Sequence, residues 1–157
     1  ISAGLLGIQT YAFEPHAGNY FLLCQNININ NFKNVTAYCV GLGQDTNFSH
    51  INIKNYHPGV ADNVIDQEGQ FNHGVVQQTL DDVVLLLKQP THIKIDVDGY
   101  ESNVLNGATE TLKKATSVLF EISDQHLHIV DKMLSFGYKV KGKYKRNEKE
   151  NNYIFSK

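Results

Sequence analysis

The chain has 157 residues, enough for one domain and short for two. Hydrophobic residues make up 41% and charged residues 19%, which excludes a disordered chain. Fourteen Lys and Arg against sixteen Asp and Glu leave a formal charge of -2, so no nucleic acid or anionic membrane is expected as an electrostatic partner.

Two cysteines, Cys24 and Cys39, are too few for a disulfide framework and read as small hydrophobes in a reducing compartment. No apolar run approaches the roughly 20 residues a bilayer span needs. No basic segment leads into an apolar one as a secretion leader would. The expected location is cytoplasmic. The chain starts at Ile1 and its single methionine is Met133, so its natural beginning is expected upstream.

Residues 8–14 form a β-branched and aromatic run that stops at Glu14-Pro15, because proline donates nothing to a ladder. A helix is predicted from about His16 to Asn30, with Tyr20, Leu23, Cys24 and Ile27 on one stripe. Val35 to Leu42 reads as a strand ending in Gly41-Leu42-Gly43, completing a βαβ unit. From Gln44 to Gln78 the pattern loosens into an irregular excursion with one or two antiparallel strands, around Phe48, Ile51 and Ile53 and around Val75-Val76. Asp81 to Lys88 is a short helix before Pro90. Ile93, Ile95 and Val97 alternate in a strand that closes on Asp96-Val97-Asp98-Gly99. Glu101 to Ala115 is helical, with Val104, Leu105, Ala108 and Leu112 on one face and a break at Gly107, and Ser117 to Ile122 is again a strand. Leu127, Val130 and Leu134 are expected to face inward on a helix capped by Gly137. Tyr138-Val140 and Tyr153-Phe155 then form two strands around a solvated basic turn, Lys141 to Lys149.

This alternation predicts an α/β fold, a doubly wound and mostly parallel sheet with an antiparallel C-terminal edge. Ligands bind such sheets at the carboxyl ends of the strands, which singles out Glu14, Gly41-Leu42-Gly43, Asp96 with Asp98, and Glu121. A carboxylate at the position of Glu14 can accept from a vicinal diol, or simply end a strand where water begins. Asp96, Asp98 and Glu101 crowd three acids into six residues. They could hold a cation, orient a cofactor, take a proton, or only cap the next helix. His126 and His128, two residues apart, are a poor metal pair, and His50, His57 and His73 read as surface residues. The glycines match neither a dinucleotide fingerprint nor a phosphate loop.

Taken in order, Tyr11-Ala-Phe-Glu-Pro-His16, Asn26-Ile-Asn-Ile-Asn30 with Asn34-Val35, Thr79-Leu-Asp-Asp82, Lys94-Ile-Asp-Val-Asp-Gly-Tyr-Glu101, Val104-Leu-Asn-Gly-Ala108 and Phe120-Glu-Ile122 resemble the FkbM-type methyltransferases. The resemblance runs from residue 9 to about 122. It implies a Rossmann-like, class I methyltransferase fold with helices on both faces of the sheet. It implies one domain over residues 1–157, with an insertion at about 44–78. It further implies S-adenosylmethionine as cofactor and methylation of a hydroxyl on a sugar, glycan or other small molecule. Glu14 and Pro15 would then lie at the cofactor ribose, Gly41 and Leu42 along the adenine, and Asp96 at the mouth of the site near the methyl group. Asp96 or Glu101 would act as base or, with a divalent cation, as ligand. Asp98 stands where the family usually has Glu. The family's first strand, helix and glycine-rich turn should precede Glu14, where only thirteen residues stand and Gly4-Leu-Leu-Gly7 is not that turn. If the polypeptide is complete, weak or no cofactor binding is expected. The alternative is a non-catalytic module of this fold, used for protein interaction or as a homodimer.

Overall fold

The computed structural model describes residues 2–52, 64–65, 72–147 and 150–157. Ile53 and His57, both singled out above, lie outside the described residues. The chain divides into two compact units, one of residues 1–41 with 47–77, the other of residues 42–46 with 78–157.

In the first unit, a short helix α1 (Ser2–Leu5) precedes β1 (Thr10–Phe13), α2 (Ala17–Ile29) and β2 (Val35–Tyr38). β1 and β2 pair in parallel, Thr10 opposite Val35 through Phe13 opposite Tyr38, and the Phe13 and Tyr38 rings stack at 5.4 Å. The ladder runs one step further, because the Glu14 N–H donates to the Tyr38 carbonyl at 3.1 Å. The helix starts at His16, whose Nδ1 accepts from the Asn19 N–H. The expected strand from Val35 to Leu42 is broken: β2 ends at Tyr38, and Gly41–Leu42 forms a separate two-residue strand, β3, within which the chain leaves this unit.

The excursion after Gln44 is more regular than its composition suggested. β4 (Asn47–Asn52), β5 (Val64–Ile65) and β6 (Asn72–Gln78) make an antiparallel arrangement with β4 between the others. Ile51 and Val75 turn inward beside a buried Gln77, while Phe48 and Val76, directly opposed, are exposed. A face that mixes apolar and polar inward residues hides the two-residue period on which strand recognition depends.

The second unit is built on a four-stranded sheet of order β7-β8-β10-β9, from β7 (His92–Ile95), β8 (Ser117–Ser123), β9 (Lys139–Lys145) and β10 (Glu150–Ser156). β7 and β8 are parallel and the other pairs antiparallel, as expected for the C-terminal edge. α4 (Glu101–Asn106) and α5 (Thr109–Lys114) carry the chain from β7 back to β8. Val104, Leu105, Ala108 and Leu112 are all buried, as the sequence stripe predicted. Phe120 and Phe155 meet edge to face in the core at 6.5 Å.

The next helix, α6 (His128–Ser135), buries Ile129 and Met133. The expected inward face, Leu127 and Leu134, is instead 46% and 47% exposed, with Val130 half-buried. The helix starts only after a 3-10 turn, Asp124–His126, so a period carried back through Leu127 is out of phase with it. Gly137 does follow its C-terminus, at φ 86°.

Much of the ordered motif set proves to be scaffold. α3 (Leu80–Leu86) is capped by Thr79, whose hydroxyl accepts from the Asp82 N–H at 3.0 Å. Asp82 in turn accepts from the Thr46 hydroxyl at 2.9 Å. The hydroxyls of Thr79 and Thr46 hold the Asp82 carboxyl below the usual carboxylate range. Asp81 reaches the start of α5, accepting from the Glu110 and Thr111 N–H groups at 3.0 and 2.7 Å. The break between α4 and α5 falls at Gly107, where a Cβ would lie 1.8 Å from the Gly43 carbonyl oxygen. Only glycine permits that approach.

Candidate functional site

The carboxyl end of the parallel pair β7–β8 gathers the charged residues of the second unit. Parallel register sets Ile95 opposite Phe120, so Asp96, just past the end of β7, and Glu121, still within β8, follow side by side. Antiparallel pairing of β10 with β8 sets Glu150 opposite Ser123, which brings the β9–β10 turn to the same edge. Arg146, in that turn, donates to Asp96 Oδ1 at 3.1 Å and also pairs with Glu121 Oε2. Lys94 pairs with the other oxygen of Asp96. The expected solvated basic turn is therefore corrected in part: most of its lysines lie in β9 and are exposed, but Arg146 is tied to two acids.

Glu121 is buried, with its side chain 5% exposed. Its Oε1 has no hydrogen-bond partner among the described residues. A buried acceptor left unmade costs about 1–3 kcal/mol, so this atom suits a ligand that brings a donor. Asp96 is more open, at 30%.

The three acids between Asp96 and Glu101 do not converge. Asp96 turns to Lys94 and Arg146. Asp98 is exposed and, at φ 47°, forms with Gly99 at φ 96° a left-handed turn between β7 and α4. Glu101 is buried at 3% exposure. Its Oε1 accepts from the Gly99 N–H at 3.0 Å, and its Oε2 lies 3.1 Å from His126 Nδ1. Cations and an N–H on separate sides relieve the crowding that the linear spacing suggested. Among the described residues no group of three His, Cys, Asp or Glu stands ready to hold a metal ion.

His126 is the residue that sequence reasoning missed. Expected only as half of a poor metal pair with His128, it ends the 3-10 turn after β8 and bonds a buried acid. The rings of His126 and His128 lie 6.0 Å apart, edge to face, and His128 Nε2 lies 3.0 Å from the Ser102 hydroxyl. No sequence signal links Glu101 to His126, twenty-five positions apart.

In the first unit, Glu14 ends β1 half-buried, one oxygen accepting from the His16 N–H at 2.8 Å. Pro15 follows it, and the Pro15 carbonyl faces the Cys39 thiol at 3.9 Å. Burial, the Glu14 charge and Cys24 all push the Cys39 thiol up. His16 is buried and its ring lies 6.0 Å from that of His73. Burial lowers its proton affinity first, and the charge His73 can carry adds to that. Gly41 is buried and Leu42 half-buried. A separate concavity of about 330 Å³ between α2 and β2, lined by Cys24, Ile27 and Val35 among others, holds none of the acids.

A crystal structure of the methyltransferase FkbM from Methylobacillus flagellatus KT superposes with a TM-score of 0.65 at 19% identity, over 92% of this chain and 36% of that one. The likeness concerns the fold, mixed α/β and consistent with the expected Rossmann-like class, and the chain spans about a third of that protein's length. A search of curated proteins found no match. No helix among the described residues is long and apolar enough to cross a membrane. The profile of the methyltransferase FkbM domain matches residues 3–140, and the chain belongs to the FkbM methyltransferase family.

Proposed function

We propose that this chain is part of an S-adenosylmethionine-dependent methyltransferase that methylates a hydroxyl oxygen of a sugar, glycan or other small molecule. The observation that carries the reading is the family match over residues 3–140; the acids at parallel strand ends support it. When bound, S-adenosylmethionine supplies an electrophilic methyl group on a sulfonium. Glu14 would accept from its ribose hydroxyls, with Pro15 fixing the end of the strand. Gly41 and Leu42 would lie along the adenine. Asp96 would stand at the mouth of the site, held by Lys94 and Arg146. The reaction needs the acceptor oxygen aligned and its proton removed, and alignment supplies much of the acceleration. We place the activity in the cytoplasm, which the free thiols of Cys24 and Cys39 support.

A second reading, a non-catalytic homodimerising module, is favoured by the ion pairs that already engage Asp96. The two separate in one experiment. Incubation with methyl-labelled S-adenosylmethionine and a panel of methyl glycosides, glycans and polyketide alcohols should give label on oxygen, and Glu14→Gln should weaken cofactor binding in calorimetry. Unchanged cofactor affinity in Glu14→Gln of the full-length protein, or no binding by the unaltered full-length protein, would overturn the proposal.

A further inference from the structure

We infer that Glu101 and His126 form a dyad in which His126 Nε2 takes the proton of the acceptor hydroxyl. This assignment rests on the hydroxyl-methyltransferase reading above. It starts from the burial of Glu101. At 3% exposure, with one oxygen on the Gly99 N–H and the other on His126 Nδ1, Glu101 cannot itself touch an acceptor. An ionised carboxylate only accepts hydrogen bonds, so its partner nitrogen carries the hydrogen. The neutral ring is thereby held as the Nδ1–H tautomer, and the lone pair lies on Nε2.

That nitrogen makes no hydrogen bond with the described residues, and the His126 side chain is 21% exposed against 4% for that of Glu101. Position supports the role. Glu101 opens the helix after β7, and His126 closes the turn after β8, so their contact ties together the two segments that leave the carboxyl end of the parallel pair. Asp96 and Glu121 stand at that same edge, but Asp96 already faces two cations and Glu121 faces Arg146. A base oriented by a buried acid through its other ring nitrogen is an arrangement that general-base catalysis uses.

In the step, the acceptor oxygen forms a bond to the methyl carbon while its proton passes to Nε2. The carbon–sulfur bond breaks, and its electron pair remains on the sulfur of the spent donor as a neutral thioether. His126 becomes an imidazolium, whose Nδ1–H still donates to the Glu101 carboxylate. Glu101 is thus a positioning residue and His126 the catalytic one.

The test combines two readouts on the full chain. Nitrogen NMR of the imidazole rings should show His126 as the Nδ1–H tautomer, and Glu101→Gln should disturb that state; an Nε2–H tautomer in the unaltered protein would overturn the dyad whatever the activity. Methyl transfer to the glycoside panel should fall about 10²–10⁴-fold in His126→Ala, with unchanged S-adenosylmethionine affinity, and added imidazole should restore part of it. Full activity in His126→Ala, or a loss that imidazole does not relieve while cofactor affinity holds, would overturn the base role. If the unaltered protein binds the cofactor with the Nδ1–H tautomer in place yet methylates no hydroxyl, it is the function reading that fails, and the base role falls with it.

Discussion

Arg146 and Glu121, twenty-five residues apart, meet at the carboxyl end of the parallel strands, a half-exposed guanidinium on a carboxylate that is 5% exposed. Removing the cation would strand a buried charge, which is costlier than removing the pair. Arg146→Met should destabilise the protein by about 1–3 kcal/mol, discounted because the arginine is half in water. Adding Glu121→Gln should recover most of that loss. Urea unfolding of the two single variants and the double variant checks it, and additive losses would refute the coupling.

Gly107 should tolerate no side chain. Its Cβ would fall 1.8 Å from the Gly43 oxygen, and both partners are backbone. Gly107→Ala should cost about 1–3 kcal/mol or more, as overpacking does. Gly74→Ala, where the added carbon meets nothing within 4 Å, serves as control and should cost far less in the same thermal melts.

Asp81 supplies the cap that α5 lacks from its own sequence, since Ala108 at its N-terminus has no side-chain acceptor. Asp81→Ala should remove about 1 kcal/mol, lowering the melting temperature by about 2–4 °C in a chain of this size. No change on melting would mean that water replaces the carboxylate.

His16 makes stability depend on pH. Burial and then His73 lower its proton affinity in the folded chain below the ordinary value of 6.5. Its contribution is therefore present above about pH 6.5 and lost as pH falls through the depressed value. Melting temperature should drop from about pH 7 to about pH 5, and protonation also removes the Nδ1 acceptor that caps α2. His16→Asn keeps a capping oxygen without a titrating ring, so it should flatten that slope. An equal slope in the variant would assign the effect elsewhere.

The order of strands and helices was legible because it rests on local periodicity. The Glu14-Pro15 stop, the break at Gly107 and the buried stripe from Val104 to Leu112 follow from residue type and spacing alone. The face of α6 was not, since a 3-10 turn shifts its phase and no residue marks that shift. The Asn47–Gln78 strands were blurred because their inward face is partly polar.

At the strand ends, the sequence by itself determined which residues stand at the carboxyl edge: Asp96, Glu101 and Glu121 are fixed there by the residues that end β7, begin α4 and run through β8. Only the tertiary structure decided what each of them faces. Hydrogen bonds and ion pairs act over about 3 Å, and folding brings within that reach residues far apart in the chain, so Arg146 meets Glu121 and His126 meets Glu101 through the strand register and turns of the second unit.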